Sequence, residues 1–282
     1  MVGGVAEPVL PVVDGIEPYA EGRGWAVYCA DVMELLPRLP EESIDVVLTD
    51  PPYGQTNESY DRGVAPAVWR HTLRACRPDA ALLSLAGNPT YHRLATAIED
   101  AGWRIRQMWG WVYRDGYIIS SRPSEGFDRL AAAMDPIVFA TRGKVLLPLR
   151  RVSGQAWSRQ RGKRSGYSAR AGQQGAAQGS GHWPRSLVAS DGVEGFQYFA
   201  LSRTTPGVSR STGHPNENPE ALMDWLADKV PGAVVADWFM GSGTTGVAAL
   251  RAGRRFVGAD IDPHWCEVAA DRLRAAEQAL TP

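Results

Sequence analysis

Ile44-Asp-Val-Val-Leu-Thr49 is β-branched and apolar over nearly its whole length, as a strand covered on both faces should be. Similar runs recur along the chain. Trp25 to Ala30 ends at Asp31, Ala80 to Ala86 is another buried run, and Trp103 to Tyr113 and Pro136 to Thr141 read as extended. Ala233 to Phe239 and Arg255 to Asp260 complete the set. Helical patterns lie between them. Val32 to Leu36 is a short helix limited by Pro37, and Asn88-Pro89 opens a helix, with Asn88 as its cap, that ends at Gly102. Asn218-Pro219 opens another, whose Leu222, Trp225, Leu226 and Val230 share a face. A fourth runs from Gly241-Ser-Gly-Thr-Thr245 to Gly253, and Asp262-Pro263 caps a last one. This alternation predicts an α/β fold with a mainly parallel, twisted sheet and helices on both faces.

A chain of 282 residues accommodates one large α/β domain carrying an insertion. Its net charge of −1 hides an asymmetry. Between Pro136 and Ser190 there are ten Lys or Arg and no Asp or Glu, while the rest holds 20 basic and 31 acidic residues. Periodicity vanishes from about Gly143 to His182, where Gly, Ser, Gln, Ala and Arg dominate. The expected organisation is a loosely ordered arm over residues 1–20, a folded body over 21–142 and 191–282, and a basic insert over 143–190. On charge alone that insert is equally a phosphate-binding surface or a solvated loop. Cys29, Cys76 and Cys266 are far apart and show no metal-binding spacing. The N-terminus lacks the basic start and apolar run of a secretory signal, and no apolar stretch has membrane-spanning length. A reducing cytoplasm is the expected location.

Three places carry chemistry. Phe239-Met-Gly-Ser-Gly243 joins a buried strand to a helix, and the next strand ends at Asp260, about 20 residues on. Glycines let a ligand approach the backbone, and an acid at that distance suits ribose hydroxyls. The loop lacks both the GxGxxG pattern and a phosphate-loop lysine, so an adenosyl group without phosphates is expected. The second place is Asp50-Pro51-Pro52-Tyr53, at the carboxyl end of a buried strand. There the Asp50 carboxylate and the Pro51 carbonyl can accept hydrogen bonds from one –NH₂ group, and Tyr53 offers a face for an extruded base. His214-Pro-Asn-Glu-Asn-Pro219, the third, is in isolation only the start of a helix.

Leu48-Thr-Asp-Pro-Pro-Tyr-Gly54 resembles the catalytic motif of DNA amino-methyltransferases, and Asp237-Trp-Phe-Met-Gly-Ser-Gly-Thr-Thr245 resembles their cofactor motif. The catalytic motif comes first, as in the permuted beta class. The resemblance covers roughly residues 25–142 and 182–275. It implies a Rossmann-like methyltransferase fold with S-adenosyl-L-methionine as cofactor and DNA as substrate through base flipping. The implied catalytic residues are Asp50, Pro51, Pro52 and Tyr53. The implied cofactor residues are Asp31, Asp237, Phe239, Gly241, Ser242, Gly243, Thr244, Thr245, Asp260 and Asn218. In the family the insert carries target recognition, which falls here on Arg159, Arg161, Lys163, Arg164 and Arg170. A second copy of the chain and a cognate restriction enzyme are further partners that the family admits. Two departures stand out: Trp238 replaces the usual Pro, and Asn216-Glu217-Asn218 replaces Thr-Gln-Lys. Asp before Pro-Pro-Tyr goes in the family mostly with adenine-N6, with cytosine-N4 as the alternative. Cytosine-C5 chemistry would need a Pro-Cys pair, which is absent. RNA, small-molecule or protein methylation remain rivals, as does a non-catalytic DNA-binding module on the same fold.

Overall fold

The apolar runs pair into a single sheet. The computed structural model describes residues 9–55, 63–113, 134–147, 198–201, 212–214 and 216–281. Its strands are β1 (Ala20–Gly22), β2 (Trp25–Cys29), β3 (Ile44–Thr49), β4 (Cys76–Leu85), β5 (Arg104–Tyr113), β6 (Met134–Thr141), β7 (Tyr198–Leu201), β8 (Val234–Asp237) and β9 (Arg255–Asp260). The helices are α1 (Val32–Leu35), α2 (Pro66–Ala75), α3 (Tyr91–Asp100), α4 (Glu220–Lys229), α5 (Thr244–Arg251) and α6 (Pro263–Leu280). Spatial order is β1-β2-β9-β8-β3-β4-β6-β5-β7. From β2 through β9, β8 and β3 to β4 every pairing is parallel, while β1 and β6 run against their neighbours.

Alternation along each central strand feeds two cores. Val46 and Leu48 of β3, Leu83 of β4 and Phe256 of β9 face Leu226 of α4, Val247 of α5 and Leu273 of α6. Val47, Leu82 and Val257 face the opposite side, against Leu35, Trp69 and Ile98. Trp238 is fully buried in this second core, and β8 still ends cleanly at Asp237, paired with Gly258. The large side chain fills interior volume there without disturbing the strand end.

Several expectations need correction. Over residues 9–20 the expected loose arm is tied down: Val13 is buried, Leu10 and Ile16 pack beside it, and Tyr19 N–H donates to the Val27 carbonyl at 2.8 Å. Apolar residues three apart gave that segment one side to bury. Asn88 does not cap α3, whose N-cap is Thr90; its amide nitrogen donates instead to the Met134 carbonyl at 2.6 Å. Helix α2, which starts on Ala65-Pro66 and buries Val68, Trp69 and Thr72, was not anticipated. Asp262 does cap α6, accepting from His264 N–H at 2.9 Å. Among the described residues no helix is long and apolar enough to cross a membrane.

Candidate active site at the two strand ends

The chain leaves β3 toward β4 on one side of the sheet and leaves β8 toward β9 on the other, so β3 and β8 flank a point where strand order reverses. A crevice at the carboxyl ends of such strands is the usual ligand site of open α/β sheets. Here β3 delivers Asp50 and β8 delivers Asp237.

Asp237 ties the two strand ends together. Its Oδ1 accepts from the Thr49 hydroxyl at 2.6 Å and from Phe239 N–H at 3.1 Å, and its Oδ2 accepts from the Thr245 hydroxyl at 2.6 Å. The side chain is buried, and burial pushes its pKa up to about 6 against the pull of these donors, with the charge on Asp50 adding to the rise. Asp237 and Thr245 thus support the glycine turn from beneath.

The turn itself is built for close approach. Gly241 and Gly243 have φ of +49° and +78°, a left-handed backbone that favours glycine. A Cβ on Gly243 would lie 2.8 Å from that of Ala269, so α6 presses directly on the turn. Asp260 Oδ2 accepts from Gly241 N–H at 2.9 Å and its Oδ1 from Asp262 N–H at 2.9 Å. Burial raises the pKa of Asp260. Asp31 lies beyond the neighbouring strand end, capping α1 by accepting from Met33 N–H at 2.7 Å.

Arg272 of α6 is a residue that the sequence did not announce. It donates to the Ser242 carbonyl at 2.8 Å, to the Thr244 hydroxyl at 3.0 Å and to Glu220 at 2.9 Å, with Glu217 at 3.4 Å. One guanidinium therefore clamps the glycine turn to the start of α4, as its planar fork allows. His214, which opens the third motif, was given no role by the sequence. Its ring packs 4.4 Å from that of Trp265, and its Nε2 lies 3.1 Å from where a Gly241 Cβ would stand.

At the end of β3, Asp50 is half-buried. Its Oδ1 accepts from the Tyr53 hydroxyl, and its Oδ2 from the Asn218 carboxamide at 2.7 Å. Burial pushes the Asp50 pKa up to about 6; Tyr53 and Asn218 hold it down, and the charge on Asp135 adds to the rise. The carboxamide of Asn218, a residue expected at the cofactor, donates to Asp50. The Tyr53 ring lines an open cleft of about 420 Å³ with Pro52, Ala86, Gly87, Thr90 and Arg93. The Gln55 side chain lies over Gly87, so a Cβ there would have to displace its exposed carboxamide end. The five basic residues expected on DNA, Arg159, Arg161, Lys163, Arg164 and Arg170, lie outside the described residues.

The raised carboxylates set a pH dependence for folding. A group whose native pKa of about 6 exceeds its ordinary 3.8 binds its proton more tightly in the folded state. Its contribution is complete below pH 4 and is lost as pH rises through 6. Relative to Asp50→Asn, the unfolding free energy of the protein is therefore expected to fall by about 2 kcal/mol between pH 4 and pH 7.5. Urea titrations at several pH values measure it, and a flat difference would refute the raised pKa.

A central parallel sheet, a glycine turn after β8 and a carboxylate after β3 define the Rossmann-like methyltransferase class. Within that class the chain belongs to the N6-adenine/N4-cytosine DNA methylase family, whose model matches residues 44–271. The chain is similar to the Type II methyltransferase M2.LlaDCHI of Lactococcus lactis subsp. cremoris, 24% identical over 91% of this chain and 92% of that protein. With Type II methyltransferase M2.DpnII of Streptococcus pneumoniae it shares 43% identity over 67 residues, 23% of this chain and only 25% of that protein. Among solved structures, the cytosine-N4-specific PvuII DNA methyltransferase superposes with a TM-score of 0.60 at 18% identity, covering 92% of this chain and 89% of that one. The M1.HpyAVI–SAM complex gives 0.55 at 17% identity, covering 88% of this chain and all of that one. At these identities the superpositions speak for the fold.

Proposed function

We propose that this protein transfers a methyl group from S-adenosyl-L-methionine to the exocyclic N6 amino group of adenine in DNA. The observation that carries the reading is the juxtaposition, through Asp237, of the Asp50 loop with the glycine turn. The turn fits the cofactor. Its two left-handed glycines leave the backbone bare, Asp260 stands beside it, Arg272 clamps it, and the stretch from Phe239 to Thr245 carries no lysine for a phosphate. Gly241, Ser242, Gly243, Asp260 and Asp31 would hold the group, with Asp237, Phe239, Thr244 and Thr245 shaping the turn. Bound there, the cofactor supplies an activated methyl on a sulfonium.

The rest of the work falls to this chain. The Asp50 carboxylate and Pro51 carbonyl accept the two N–H bonds of the amino group and turn its lone pair toward the methyl. Tyr53 packs against the extruded base in the cleft it lines. Asp50, with a pKa near 6, is suited to receive the proton that nitrogen sheds once methylated. Catalysis is thus mainly positioning and electrostatics.

Labelled methyl transfer to unmethylated genomic DNA, followed by nucleoside identification, tests this reading. Label in N6-methyladenine is expected. N4-methylcytosine would overturn the choice of base, a live rival given the likeness to a cytosine-N4 enzyme. An unlabelled DNA product with bound cofactor would overturn the reaction itself.

In this reading the basic insert over residues 143–190 grips DNA phosphates. Neutralising Arg161, Lys163 and Arg164 together is expected to weaken DNA binding and to lower the slope of log K against log salt by about 2 to 3. Filter-binding or anisotropy titrations at several salt concentrations measure it, and an unchanged slope would remove these three residues from the interface.

A further inference from the structure

Both oxygens of Asp50 already carry a neutral donor, and the two donors are anchored very differently. Tyr53 belongs to the same loop, three residues on, and its ring lines the open cleft where an incoming group would meet it. Asn218 reaches Oδ2 at 2.7 Å from a point 168 residues along the chain. Its preceding neighbour Glu217 is pinned: Thr212 donates to Glu217 Oε2 through its N–H at 3.2 Å and its hydroxyl at 3.0 Å. Arg272 reaches Glu217 Oε1 at 3.4 Å and also holds Glu220, at the start of α4, at 2.9 Å. Asn218 is therefore fixed from both sides by the same guanidinium that clamps the glycine turn.

We infer that Asn218 is the positioning residue of Asp50: its carboxamide pins Oδ2, which leaves Oδ1, now covered by the Tyr53 hydroxyl, as the oxygen that yields to the substrate amino group. This deepens the proposed function and rests on Asp50 being the acceptor of that group. The contact also serves the charge state. Among the described residues, the other groups that face Asp50 are the carboxylate of Asp135 of β6, which raises its pKa, the carboxylate of Asp237 of β8, whose own pKa the Asp50 charge raises, and the Tyr53 hydroxyl of its own loop. Hydrogen bonds from Tyr53 and Asn218 are what oppose burial and the Asp135 charge. Without Asn218, Asp50 would hold its proton to higher pH and lose its fixed orientation.

The experiment compares the full chain with Asn218→Ala and with Asn218→Asp, which keeps the shape and replaces the donor by a like charge. Two quantities are read: the Asp50 titration by carboxyl ¹³C resonance in aspartate-labelled protein, assigned with Asp50→Asn, and the acid limb of methyl transfer. In Asn218→Ala the Asp50 pKa is expected to rise by about one unit, and further in Asn218→Asp. At pH 6.5 kcat is expected to drop about tenfold in Asn218→Ala, while cofactor affinity by calorimetry stays within about twofold. An Asp50 titration unmoved in both variants, with cofactor binding intact, would overturn the inference. So would a loss confined to cofactor affinity, which would return Asn218 to the cofactor site. An Asp50 titration that moves as expected in the two variants, with the unaltered protein inactive on DNA, would overturn the proposed function and leave the Asn218 contact standing.

Discussion

Asp50→Ala is expected to slow methyl transfer to DNA by about a thousandfold or more while S-adenosylmethionine still binds. The side chain is the one carboxylate that the end of β3 presents at the crevice, and its loss removes the proposed acceptor for the substrate amino group. Tyr53 and Asn218 lose their shared partner at the same moment. The glycine turn does not depend on Asp50, because its supports are Asp237, Asp260 and Arg272. Single-turnover transfer measured beside calorimetric cofactor binding separates the two effects. Activity close to that of the unaltered protein would remove Asp50 from the mechanism. Asp50→Asn is expected to be nearly as severe, since a carboxamide has a single acceptor oxygen for Tyr53, Asn218 and the substrate together.

Asp237→Ala is expected to be the most damaging change to the framework. It leaves two threonine hydroxyls and the Phe239 N–H without their buried partner and opens space between β3 and β8. A stability loss of about 3 kcal/mol or more follows from the unsatisfied donors alone. Cofactor affinity is expected to fall at least about tenfold, because the turn loses its support from Thr245. Asp237→Asn keeps the shape and one acceptor oxygen, and should lose only about 1 to 2 kcal/mol. Urea unfolding and calorimetry on the two variants check the ordering. Equal stability in all three proteins would show that the hub contributes nothing.

Strand β3, the glycine turn and Asp260 were legible because each is local: a run of apolar residues, two glycines and an acid at fixed spacing announce themselves within 30 residues. The destination of Asn218 was not. Its neighbours spell the start of a helix, and nothing near position 218 says that the carboxamide meets a residue 168 positions away. Arg272 was hidden in the same way, since on the sequence it is one arginine on an amphipathic helix. Asn88 misled because its side chain is held by a different contact. Its amide nitrogen donates to the carbonyl of Met134, brought near by the pairing of β4 with β6, which ties the side chain to that strand.

The pairing of Val46 with Val235, and of Thr49 with Asp237 across 188 residues, has a consequence for how the chain tolerates change. Closing so long a loop is entropically demanding once, yet the demand grows only with the logarithm of its length, by about 0.6 kcal/mol per doubling. The segment over residues 149–196, a unit apart from the body that holds both strands, can therefore lengthen or shorten with little effect on the closure of β3 against β8. In the proposed reading, where the basic insert makes the DNA contacts, target specificity and scaffold stability are nearly independent variables, and a lineage carrying this sheet can explore new sequences to read without first making the protein sturdier.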